Sequence, residues 1–185
     1  MFPNRKPTHY RNIYLDNQIY FFTSSIVQFQ PVLLEDNLKQ CILKYWNLYR
    51  KKYSIKIHGY VLMPNHFHIL FYGEKANHVK SFMQQSLRSS AIAIVTEIQR
   101  WPRERKETIL KVFLEEADQR TNYKVWKEQT RGIPLDSEDM VTQRLNYIHE
   151  NPLRKGLVHN PLDYLYSSYR NYELGDQSVF HIDLL

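Results

Sequence analysis

The hydrophobic pattern changes its period several times along the chain. Ile19 to Ile26, Ile-Tyr-Phe-Phe-Thr-Ser-Ser-Ile, is dense in aromatic and β-branched residues and predicts a buried strand. Beyond Pro31, the stretch from Asp36 to Lys52 sets Leu38, Ile42, Tyr45, Trp46 and Tyr49 at three- and four-residue steps, which predicts an amphipathic helix. Tyr53 to Leu62 and His66 to Tyr72 are two β-like runs around Met63-Pro64-Asn65, the pattern of a hairpin. Ala76 to Arg100 carries Val79, Phe82, Met83, Leu87, Ala91, Ile94 and Ile98 on one helical stripe, and Pro102 stops it. After a charged link, Leu110, Phe113, Leu114 and Ala117 form a further helical pattern, and Tyr123 to Trp126 predicts a short strand. Ser137 opens a last helix, with Glu138 and Asp139 in its first turn where acidic groups suit the helix dipole. That helix is expected to end near Glu150, because the residue before Pro152 is pushed out of helical geometry. The order β-α-β-β-α-β-α predicts an α+β fold: a ferredoxin-like split βαβ antiparallel sheet, helices on one face, and an additional C-terminal helix.

At 185 residues the chain suits a single domain, 1–185, within which 1–18 reads as a basic N-terminal arm with Arg5, Lys6 and Arg11, and 101–122 as a charged helical insertion. The net charge of +6 favours an anionic partner. The aromatic content of 14% supplies surfaces that stack on unpaired bases as well as fill a core. Cys41 is the single cysteine, which excludes an internal disulfide, and Met1 to Lys6 lacks the apolar stretch of a signal peptide; a reducing cytoplasm is the expected location. No window approaches the roughly 18 consecutive apolar residues of a membrane span, so no membrane partner is expected.

Alternation along a strand puts His66 and His68 on one face, and Phe67, Ile69 and Phe71 on the other. The apolar row belongs against the helices, which leaves the histidines on the open face of the sheet. Two imidazoles one strand step apart reach a single divalent ion, although a third protein ligand is wanted. Two partly buried histidines with ordinary hydrogen bonds fit the same pattern. On the last helix Val141, Leu145 and Ile148 form the docking stripe, with Tyr147 and Asn151, one turn apart, beside it. By themselves these two read as a packing residue and a cap. Next to a metal, a phenol is an apt nucleophile and an amide oxygen an apt third ligand.

Gly59-Tyr60-Val61-Leu62-Met63-Pro64-Asn65-His66-Phe67-His68-Ile69-Leu70, followed about eighty residues later by Leu145-Asn146-Tyr147-Ile148-His149-Glu150-Asn151-Pro152-Leu153-Arg154-Lys155-Gly156-Leu157-Val158, resembles the REP-associated tyrosine transposases, single-tyrosine HUH transposases. Val125-Trp126-Lys127 and Asp163-Tyr164-Leu165-Tyr166-Ser167-Ser168 extend the resemblance over most of the chain. It implies His66, His68 and Asn151 as metal ligands, Tyr147 as nucleophile, and a divalent metal, magnesium or manganese. The implied function is cleavage and rejoining of single-stranded DNA with imperfect hairpins through a 5′-phosphotyrosine. The last helix acts in its own subunit in some relatives and in a partner's in others, so a homodimer is compatible with the pattern. Lys80, Arg88, Arg154 and Lys155 are candidate phosphate contacts. Two other readings stand beside this one: a non-catalytic module stacking single-stranded nucleic acid on the open sheet, and a metal-dependent phosphodiesterase using water.

Overall fold

The computed structural model describes residues 14–117, 122–127 and 131–185. Arg5, Lys6 and Arg11 of the expected arm, and residues 118–121 of the insertion, lie outside the described residues. The elements are β1 (Gln18–Ser25), α1 (Asp36–Tyr53), β2 (Lys56–Met63), β3 (His66–Gly73), α2 (Ala76–Ile98), α3 (Arg103–Glu115), β4 (Arg131–Leu135), α4 (Glu138–Arg154) and α5 (Tyr169–Leu174). The strands form one antiparallel sheet in the order β2-β3-β1-β4, the expected split βαβ arrangement.

Alternation sorts each strand into two layers. Tyr20 and Phe22 of β1, with Phe67, Ile69 and Phe71 of β3, join the larger core beneath α1 and α2. There Trp46 of α1 stands edge-on to Phe67 at 5.0 Å, and Phe82 of α2 lies 5.2 Å from Phe71. Phe21, Val61, Met63 and Leu70 point the other way.

That second face is not open, as the sequence had suggested. Val141 and Ile148 of α4 complete its apolar layer with Leu135, and Leu145 packs against it. The stripe of the last helix needs an apolar surface to bury, and this face provides one. Gly59 of β2 helps, since a Cβ there would sit 2.7 Å from Leu145 Cδ1. The covered face removes the platform on which a base-stacking module would depend.

Two other expectations change. Tyr123 to Trp126 makes only an isolated bridge, Ile26 to Trp126, and the fourth strand is Arg131–Leu135. Gly132 and Pro134 hid it; β4 is an edge strand, where a residue without an amide hydrogen is tolerated. The last helix continues through Pro152 to Arg154 rather than ending near Glu150. Its final turn is held by Gly156 N donating to Leu153 O and Leu157 N to Pro152 O, both 2.9 Å, with Gly156 at φ 67°. This Schellman pairing closes the turn that the proline weakens. At the other end Met140 N donates to Ser137 Oγ, the expected cap.

The free edge of β2 is paired by residues 166–168: Leu62 N donates to Tyr166 O, and Ser168 N to Tyr60 O. Among the described residues no helix is long and apolar enough to cross a membrane.

Ile148 is fully buried under α4. Ile148→Ala should lower unfolding free energy by about 2–4 kcal/mol, whereas the exposed Leu153→Ala should change it by less than about 1 kcal/mol; urea denaturation of both variants checks the contrast.

Candidate metal and nucleophile site

β3 supplies the two imidazoles. His66 pairs across the sheet with Met63 and Ser25, and His68 with Val61 and Thr23, so both lie on the α4 side. Their ring centroids are 4.9 Å apart, with planes at 77°. Each ring is held through Nδ1: His66 by Asn65 Oδ1 at 2.7 Å, His68 by Thr23 Oγ1 at 2.6 Å. The amide of Asn65 also donates through Nδ2 to Phe29 O, which turns its oxygen toward His66. In the tautomer that carries the proton on Nδ1, each Nε2 keeps a lone pair, the arrangement that suits a metal-binding histidine.

α4 supplies the rest. The Tyr147 ring stands edge-on to His68 at 5.1 Å and to Phe21 at 6.0 Å, while Phe21 stacks on His68 at 5.3 Å. Two turns further on, Lys155 borders a cavity of about 340 Å³ together with His66. Asn151 lies between these two contacts on the same helix and is buried. His68 Nε2 and Asn151 Oδ1 are both buried with no hydrogen-bond partner. Leaving such an atom unpaired costs about 1–3 kcal/mol. Two imidazole nitrogens and an amide oxygen form a donor set that fits a borderline or hard divalent cation. Among the described residues no group of three or more His, Cys, Asp or Glu side chains is placed to hold a metal ion.

Charge around the pair also favours the unprotonated rings a metal requires. Burial, then His66, then Arg144 push His68 down to about 3. Burial and then Lys155 lower His66. Arg144 reaches over the Phe21 ring at 5.0 Å.

The four candidate cations separate. Arg154 and Lys155 are exposed at the C-terminal end of α4, with Arg154 5.9 Å from the Tyr147 ring centroid and paired to Glu150. Lys80 and Arg88 are exposed on α2, which packs on the other side of the sheet.

Sequence reasoning missed Thr23, Asn65 and Arg144. Asn65 had a signal, being adjacent to His66. Thr23 had none, because its partner is set by strand register. It also missed His149, buried on α4, whose Nε2 is hydrogen-bonded with Ser168 Oγ at 2.9 Å while that oxygen accepts from Tyr60 N. Burial pushes His149 down to about 4. The pair ties α4 to the segment that closes the β2 edge.

A family model described as "Transposase IS200 like" matches residues 17–128. Among solved structures, a REP-associated tyrosine transposase bound to a REP hairpin is 16% identical with a TM-score of 0.62, over 91% of this chain and 87% of that one. At this identity the likeness is one of fold. A protein of Deinococcus radiodurans R1, described as a presumptive transposase, is 16% identical with a TM-score of 0.42, over 82% of this chain and 97% of that one. No curated protein sequence matches significantly.

The buried histidines make a pH prediction. Unfolded, each takes a proton near pH 6.5; folded, His68 resists to about 3 and His149 to about 4. Their contribution is therefore complete above pH 6.5 and lost as pH falls, by at most about 1.4 kcal/mol per pH unit for each group. In chelator, urea-denaturation stability should drop between pH 6.5 and 5, and His68→Gln should flatten the slope. A flat wild-type profile there would contradict the assignment.

Proposed function

Since this chain belongs to the IS200-like transposase family, we propose that it cleaves and rejoins single-stranded DNA carrying an imperfect hairpin, with Tyr147 as the nucleophile. The observation that carries this reading is the chain of ring contacts that joins His66, His68 and Tyr147 between β3 and α4, with Asn151 Oδ1 buried and unpaired one turn further along α4. The family and the hairpin bound to the structural neighbour support the substrate class.

His66, His68 and Asn151 would hold magnesium or manganese. When bound, the ion supplies charge stabilisation at the scissile phosphate and fixes its orientation. Tyr147 Oη forms a bond to phosphorus as the bond from phosphorus to the 3′ oxygen breaks. The phenol gives up its proton, the 3′ oxygen takes one up, and the products are a 5′-phosphotyrosine and a 3′-hydroxyl. One phosphodiester replaces another, so attack by a DNA 3′-hydroxyl reverses the bond order and rejoins strands without a nucleotide cofactor. Thr23 and Asn65 keep the imidazoles oriented, and Phe21 with Val61 and Met63 shields the inner side of the site from water. The contact of Tyr147 with His68 of its own chain supports attack in cis. Arg154 and Lys155 meet the phosphates on either side of the cut. Lys80 and Arg88, across the sheet, serve only DNA that continues around the protein.

A denaturation-resistant protein–DNA adduct should form with hairpin oligonucleotides from the DNA flanking the gene plus manganese. Tyr147→Phe should abolish it, and His66→Ala should reduce it at least 100-fold, as read on denaturing gels. Equal adduct from wild type and Tyr147→Phe would remove Tyr147 as nucleophile. Cleaved product without any adduct would favour hydrolysis by water.

A further inference from the structure

A second feature adjoins the histidine pair. The turn Val27–Phe29 places Gln28 and Phe29 in left-handed geometry, φ 49° and 53°, and leaves the Phe29 ring 54% exposed. A non-glycine residue in this geometry is uncommon and persists where surrounding contacts impose it. Phe29 is tied into the site's own frame: its carbonyl accepts from Asn65 Nδ2 at 3.3 Å, and Asn65 Oδ1 is the group that orients His66. Ile26 N donating to Asn65 O and Leu33 N donating to Pro64 O bind this turn to the hairpin loop on both sides.

Phe29 and His66 line the same cavity, of about 340 Å³, with Met63, Pro64, Lys155 and Leu157. Its size is at the lower end of the roughly 300–1,000 Å³ of small-ligand sites. The Lys127 ammonium lies 3.3 Å from the Phe29 ring centroid, and Lys127 N is fixed by Ser25 O at 2.9 Å. Lys127 covers one face of the half-exposed ring, and a cavity shared with Lys155 opens beside a candidate metal ligand; this matches a nucleotide, with a base on the ring face that Lys127 leaves free and phosphates toward Lys127 and Lys155.

We propose that Phe29 is the stacking platform for an unpaired base next to the scissile phosphate, with Lys127 and Lys155 holding the flanking phosphates. This rests on the reading of His66, His68 and Tyr147 as a strand-cleavage site. Phe29 is then a positioning residue, which sets where the backbone crosses the histidine pair. Because every base has a π-face, the platform selects for an unpaired strand rather than for a base sequence.

The test uses fluorescein-labelled (dT)12 and a fully abasic 12-mer with the same phosphates, titrated by fluorescence anisotropy in chelator. Stacking contributes about 1–3 kcal/mol per base, so Phe29→Ala and Phe29→Leu should weaken (dT)12 binding by at least about 5-fold, while Phe29→Trp keeps or improves it. On the abasic strand all four proteins should bind alike. The salt dependence of Phe29→Ala should equal that of wild type, whereas Lys155→Ala should lose about 0.7 from the log–log slope. Wild-type affinity for (dT)12 in Phe29→Ala, or an equal loss on the abasic strand, would overturn the platform. The adduct assay separates the two ideas: Tyr147 adduct with Phe29-independent binding sinks the platform alone, and Phe29-dependent binding without adduct sinks the cleavage reading alone.

Discussion

The packing of α4 across the histidine face of the sheet is the contact from which the site is built. Neither half is complete without it. β3 alone presents two imidazoles on a strand, and α4 alone presents a tyrosine and an asparagine on a helix. Val141, Leu145 and Ile148 bring them together by burying the stripe against Phe21, Val61, Met63 and Leu70. Full burial of a side chain such as Ile148 contributes about 1.5–3 kcal/mol. The hydrogen bond between His149 and Ser168 then fixes the position of the helix along the sheet, which a purely apolar contact does less well. The Schellman closure at Gly156 keeps Asn151 in helical register despite Pro152.

This docking carries a cost at the site. His68 Nε2 and Asn151 Oδ1 lose water without gaining a protein partner, and His68 is held neutral far below the usual histidine range. The apolar layer around them offsets the penalty. Buried donors of this kind, with the rings oriented from behind by Thr23 and Asn65, are what the proposed cation site would draw on.

Much of this was legible in the sequence because it depends on local periodicity. The period of two around His66 to Phe71 assigned the faces of β3, and the three-and-four spacing of Val141, Leu145 and Ile148 gave the docking stripe. Ser137 announced the start of α4. What the sequence concealed depends on long-range pairing or on context overriding propensity. Gly132 and Pro134 argue against a strand, yet an edge position beside β1 accepts them. Pro152 argues for a helix end, yet the capped turn beyond it carries the helix on. Thr23 becomes relevant only once the register of β1 on β3 is known, 45 residues apart. That the histidine face is covered follows from where α4 docks, which spacing alone does not give.

In the proposed metal site, docking of α4 would add Asn151 to His66 and His68. Manganese affinity, measured by electron paramagnetic resonance without DNA, tests it most directly. Asn151→Ala should fold as the wild type does, by circular dichroism, and bind manganese at least 10-fold more weakly. Unchanged manganese affinity in a folded Asn151→Ala protein would contradict the account.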